Sequence, residues 1–203
     1  MDSLRRLEEI FARFPGIGPR QARRFVYHLL NKPAASVNEF VRLVEEVKKS
    51  TAECAACHRF FMHNNSNKDI CSICSDVSRD GSSLMVAARD SDFESIEKSG
   101  AYRGLYFILG GAVPVLDKDP EKRIRLEMLL KRISSSPAIK EIILSLDTTP
   151  DGEHTADIVH EAILKMTKGK TIKVSVLGRG LSTGAELEYA DSETIKNALQ
   201  NRK

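Results

Sequence analysis

No apolar run in the 203 residues reaches the length needed to cross a bilayer, and the first residues, MDSLRRLEEIF, lack a basic-then-apolar leader. A membrane span and a secreted product are therefore not expected, and the reading is a cytoplasmic protein. Disorder and fibre are also excluded, because 41% apolar and 29% charged residues are ordinary for a folded domain. Internal repeats are absent. Cysteine is scarce, with only Cys54, Cys57, Cys71 and Cys74 in the chain. No serine, histidine or tyrosine stands in a context that suggests an activated nucleophile, so covalent catalysis has no obvious bearer.

The four cysteines form two CxxC pairs separated by thirteen residues. Each pair can give two thiolates to one tetrahedral ion, and four thiolates leave no open coordination position. The pattern predicts one structural Zn2+ per chain. Two disulfides are an alternative that a reducing compartment disfavours. His58 or His63 replacing one cysteine is another.

The net charge of +3 is small, but it is unevenly spread. Residues 1–32 hold seven cations against Asp2, Glu8 and Glu9, a surplus larger than that of the whole chain. The same stretch has helical periodicity twice, over 4–14 (LRRLEEIFARF) and 21–30 (QARRFVYHLL), interrupted by PGIGP. Gly16 and Gly18 permit backbone angles that a Cβ resists, and Pro19 suits the first turn of a helix. Amide groups at such a hairpin can hold a phosphate oxygen, with Arg20, Arg23 and Arg24 within reach of its neighbours. This helix-hairpin-helix pattern predicts nucleic-acid binding through the backbone rather than the bases. A third helix is expected over 37–50.

From residue 83 the pattern changes. SLMVAA, GLYFIL, IKEIILSL and TIKVSVL are short apolar runs that read as buried strands. SDFESIEKSG, EKRIRLEMLLKRISS and TADIVHEAILKMTK between them read as helices, an alternation that predicts a mostly parallel sheet. Ser192, Thr194 and Ile195 open a last helix behind a loop holding Gly178, Gly180 and Gly184. The expected division is 1–53 for the helix-hairpin-helix, 54–80 for a zinc finger, 81–177 for the α/β part and 178–203 for a C-terminal assembly segment.

FPGIGPRQARRFVYHLL, the CxxC-x13-CxxC spacing, SIEKSGAYRGLYFILGG, DGEHTADIV and RGLSTGAELEYADSETIKNAL follow one another in an order that resembles the RecR family of bacterial recombination mediators. The resemblance runs from about residue 4 to 202. It implies an α+β multi-module fold with a Toprim domain, DNA as ligand, a homotetramer, and action with RecO and RecF to load the recombinase RecA. Active Toprim domains place a Glu after the first strand and an Asp-x-Asp after a later one, to hold magnesium. Here Ala88 stands where that Glu aligns, and Asp147 is followed by Thr148 and Thr149. The chain is accordingly read as not an enzyme. A Mg2+-dependent nuclease or primase-like activity built on Asp90, Asp147, Asp151 and Glu153 is the alternative. Asp147, Asp151 and Glu153 are otherwise expected to form an acidic rim for a basic partner such as RecO.

Overall fold

The computed structural model describes residues 2–63, 69–117, 119–167 and 172–202. The Asn- and Ser-rich part of the cysteine loop, 64–68, and the start of the expected last strand at Thr171 lie outside the described residues. The chain divides into two compact units, Met1–Thr51 with Met62–Asn64, and Ala52–Phe61 with Asn65–Lys203.

In the first unit, α1 (Ser3–Ala12) is capped by the Asp2 carboxylate, which accepts the Leu4 N–H at 3.3 Å. The periodicity predicts a helix to residue 14, but α1 ends two residues earlier. Pro15 disfavours helical angles at Phe14, and the last turn tightens so that the Phe14 N–H reaches the Phe11 carbonyl at 3.1 Å. Helix α2 (Pro19–Leu30) buries Ala22 and Val26, and Phe25 packs on Phe11 with ring centroids 5.8 Å apart. Helix α3 (Ala34–Ser50) starts directly after Pro33, one turn sooner than expected, because proline suits a helix N-terminus. None of its residues is buried, and Phe40, Leu43, Val44 and Val47 are about half exposed.

The second unit is built on four parallel strands in the order β4-β3-β5-β6: β3 (Asp80–Ala87), β4 (Gly104–Ile108), β5 (Glu141–Ser145) and β6 (Lys173–Val176). Leu84 lies beside Leu105 and Ile142, and Val86 beside Phe107 and Leu144. Alternate residues face opposite sides of the sheet, so the two faces bury different sets. Leu84, Val86, Phe107 and Leu144 pack against α6 (Leu126–Ser134) and α7 (Pro150–Met166). Met85, Ala87, Tyr106 and Ile108 pack with Phe93 of α5 (Asp90–Ser99). The result is a three-layer α/β/α arrangement, as the alternating sequence pattern predicts.

Two shorter strands, β1 (Thr51–Glu53) and β2 (Phe60–Met62), form their own sheet, and a single-turn helix α4 (Ser72–Ser75) precedes β3. Arg79, just before β3, is nearly buried; its guanidinium pairs with Glu97 of α5 and donates to the Gly104 carbonyl at 3.0 Å. The Tyr106 hydroxyl donates to the same carboxylate at 2.8 Å. Burial, then the neighbouring Glu97 carboxylate, pushes the Tyr106 phenol well above its ordinary range. This cluster joins the starts of β3 and β4 to α5.

The turn from β5 into α7 is tighter still. A Cβ at Gly152 would collide with the main-chain carbonyl of Asp147, which has no flexible end to move aside. Gly152→Ala should therefore lower the unfolding free energy by about 1–3 kcal/mol, measured by denaturant titration. An Ala variant as stable as the parent would show that this turn relaxes freely.

Candidate nucleic-acid hairpin and metal centre

The turn between α1 and α2 owes its shape to Gly16, whose φ of 74° is in the left-handed region. The Ile17 N–H closes the turn on the Phe14 carbonyl at 3.0 Å. Gly18 is the N-cap of α2 and Pro19 its first residue, and no side chain caps this helix start. The positive end of the α2 dipole is therefore left for an outside anion. Neither Gly16 nor Gly18 has an atom near the place a Cβ would take, so the hairpin surface is open at both. Arg20, Arg23 and Arg24 are all exposed, but they are not equivalent. Arg23 lies 3.4 Å from Glu8 of α1, whereas Arg24, among the described residues, has the neutral Gln21 amide as its neighbour, at 3.4 Å. The sequence order did not reveal that Arg23 already has an anionic neighbour.

The four cysteines converge. Their sulfurs all lie within 4.8 Å of one another, and Cys57 and Cys71 are 3.7 Å apart. Sulfurs placed tetrahedrally at about 2.3 Å from one ion would be separated by about 3.8 Å, so the donor set fits a metal ion that favours four thiolates. Backbone bonds shape both knuckles: the Cys54 N–H donates to the Arg59 carbonyl at 2.9 Å, and the Cys71 N–H to the Cys54 sulfur at 3.3 Å. The Ala55 N–H donates to the Asp69 carbonyl at 2.8 Å and joins the two knuckles. His58 adopts a left-handed φ of 61° to complete the first.

Of the alternative ligands, His58 turns Nδ1 to Glu53 at 2.7 Å and His63 belongs to the other unit. All four cysteines are free of disulfides. Mutual hydrogen bonding divides their protons: the bond with Cys57 drives the Cys54 thiol far down, and the same bond with burial drives Cys57 up. A cation that displaces the shared protons removes this imbalance.

The metal segment is fastened to the α/β sheet. The Ile108 N–H of β4 donates to the Cys57 carbonyl at 2.8 Å, and the Phe60 N–H donates to Asp90 Oδ1 at 2.8 Å. The Arg59 guanidinium lies 4.7 Å from the Phe93 ring centre.

The acids at the strand ends are scattered among protein partners. Ala88, 1% exposed, follows β3 at the place where active Toprim domains carry a carboxylate. Asp92 accepts the Arg89 N–H at 2.9 Å, and Asp147 lies 3.5 Å from the Arg89 guanidinium. Asp151 accepts the Val115 N–H at 3.1 Å and so fixes the loop after β4; the α7 N-cap is Thr149. Glu153 lies 2.8 Å from Arg179. Among the described residues, no set of three or more carboxylates brings its oxygens together as the cysteines bring their sulfurs.

Residues 4–48 match the model described as RecR, helix-hairpin-helix, residues 82–178 the Toprim domain, and residues 180–203 the model described as RecR, C-terminal. Recombination protein RecR of Lactobacillus helveticus (strain DPC 4571) is 34% identical over 196 residues, covering 97% of this chain and 94% of the relative. Its namesake in Bacteroides thetaiotaomicron is 36% identical over 192 residues, covering 95% and 89%. That of Lacticaseibacillus casei (strain BL23) is 33% identical over 202 residues, covering 99% and 96%. The chain belongs to the RecR family.

In this RecR-family chain the C-terminal segment closes on the α/β unit through a residue the sequence did not single out. Arg179 pairs with Glu153 of α7, lies 3.9 Å from Glu193, and its carbonyl accepts the Asn201 amide at 2.8 Å. Glu193 is on α8 (Ser192–Gln200), whose N-cap is Asp191. The available signal was one arginine isolated among the glycines of GRGLSTG.

Replacing Cys57 by Ser should reduce bound metal to well below one ion per chain by elemental analysis. Chelation of the parent should make residues 54–75 susceptible to limited proteolysis while the sheet persists, since thiolate metal binding of this kind contributes roughly 10–16 kcal/mol to local folding. A chelated chain that resists cleavage there would exclude metal-dependent folding of the segment.

Proposed function

We propose that this chain is a non-enzymatic, DNA-binding mediator of recombinational DNA repair that acts with RecO and RecF to load RecA. Family membership supports the process, because the relatives are named recombination proteins. The observation that carries the DNA-binding reading is the open start of α2: a left-handed Gly16, an uncapped Gly18 and exposed arginines beyond them. Gly16 and Gly18 offer main-chain amides, Arg20 and Arg24 neutralise flanking phosphates, and Arg23 does so while its approach is shared with Glu8.

In this reading residues 1–53 bind DNA, 54–80 hold one structural Zn2+ on Cys54, Cys57, Cys71 and Cys74, 81–177 form the Toprim-like domain, and 178–203 serve assembly. An all-thiolate donor set supports zinc over the oxygen-seeking magnesium and calcium. The half-exposed apolar residues of α3 support a homo-oligomer, in the family a tetramer, in which several hairpins act on one DNA. Asp147, Asp151 and Glu153 are the proposed rim for RecO, with Asp147 the most available, since Arg89 approaches it only to 3.5 Å. The proposed setting is the bacterial cytoplasm, in association with the nucleoid.

The buried Ala88 and the individually engaged acids argue against Mg2+-dependent cleavage or synthesis. Such chemistry would instead give a magnesium-dependent product lost in Asp147→Asn.

A DNA-binding titration across salt tests the proposal. The parent should lose affinity with a log–log slope of about −0.9 per neutralised phosphate on duplex, and Arg20→Glu with Arg24→Glu should lessen that slope by about two such contacts. Unchanged affinity and slope in the double variant would overturn the assignment of the hairpin.

A further inference from the structure

Beside the first cysteine knuckle lies a concavity of about 520 Å³ that neither the hairpin nor the acidic rim includes. Its lining combines apolar groups, from Ile70, Met128 and the Ala55–Ala56 turn, with the polar side chains of His58, Lys131, Arg132 and Ser135. Not one of these lining residues is a carboxylate. Lys131 and Arg132 occupy the last turn of α6, where cations are favoured by the helix carbonyls. Yet neither makes an ion pair among the described residues, and Arg132 Nε is buried with no hydrogen-bond partner. A guanidinium with no anionic partner gains most from a carboxylate, which can accept two parallel N–H bonds from it. Met128, unbranched and flexible, can adapt to differently shaped apolar side chains.

The lining discriminates between ligand classes. Single-stranded nucleic acid would want an open aromatic face for its bases. The one ring here, His58, is edge-on to Phe107 at 5.2 Å and held by Glu53. A duplex backbone offers phosphates to the two cations but nothing to Ile70 and Met128. An acidic peptide with an apolar side chain uses both parts. We propose that this concavity docks an acidic segment of a partner protein, with an apolar side chain against Ile70 and Met128 and flanking carboxylates on Lys131 and Arg132. The inference is independent of the hairpin's role in DNA binding.

The test uses the metal-loaded full chain and a short fluorescein-labelled peptide alternating glutamate with leucine, followed by anisotropy. The parent should bind this peptide, and should bind poorly to one alternating lysine with leucine or glutamate with glycine. Lys131→Glu with Arg132→Glu should weaken binding by about tenfold or more, and the exposed Lys131→Glu alone by about threefold. Lys165→Glu, a cation outside the concavity, should change nothing. Failure of the parent to bind overturns the proposal, as does equal binding of the glutamate–glycine peptide. Unchanged binding in the double variant at full metal content does so too. Should that variant lose metal, Lys131→Glu decides, and unchanged binding overturns the proposal. Peptide binding that survives while oligothymidylate binding is lost in the same variants would make the surface a nucleic-acid contact and likewise overturn it.

Discussion

Four cysteine sulfurs within 4.8 Å of one another impose the constraint around which this chain is arranged. Thiolates at such distances repel, and thiols there must share protons unevenly, so the cluster calls for a cation. Among the described residues, the apolar groups packed against the cluster are few, Ala56, Phe61 and Ile73, too few to build a core of their own. The segment's position is set by the α/β sheet, to which it is hydrogen-bonded. The link to the sheet is made at β4, an edge strand, whose Ile108 N–H is taken by the Cys57 carbonyl. An edge strand left bare invites pairing with other chains, and the knuckle covers part of this one.

Electrostatics explains the character of the strand ends. A two-metal or one-metal phosphoryl-transfer site needs carboxylates converging on one point, where their repulsion is relieved only by the ion. Here the acids are held apart by separate groups: the Phe60 amide for Asp90, the Arg89 amide for Asp92, the Arg89 guanidinium for Asp147, the Val115 amide for Asp151 and Arg179 for Glu153. Asp92 completes the cap of α5, and the others hold loops or pair with arginines. The hairpin has the opposite arrangement, with cations exposed and a helix start uncapped, so the unmet charge in that unit is positive.

How much of this was legible in the sequence follows from the range of each signal. The cysteine spacing, the helix break at Pro15–Pro19 and the strand–helix alternation after residue 83 are encoded by neighbours a few residues apart. Local sterics and periodicity set them, with boundaries displaced at the end of α1, at the start of α3, at α6, which begins at Leu126 instead of Glu121, and at α7, which begins at Pro150 instead of Thr155. Ala88 in place of a carboxylate was equally local, being a question of which residue follows a strand.

Only the tertiary structure decided the partners. That Arg23 meets Glu8, that Asp151 holds the Val115 amide, and that Arg179 ties α8 to Glu153 depend on segments up to thirty-six residues apart in sequence. The meeting of Ile70 with Met128 and Arg132 around one concavity joins segments still farther apart in sequence. Charge and apolarity are visible in any sequence, but whether a charge is already neutralised depends on distances that only the packed chain sets. The sequence by itself determined which groups this protein has to offer; the fold determined which of them remain unspent.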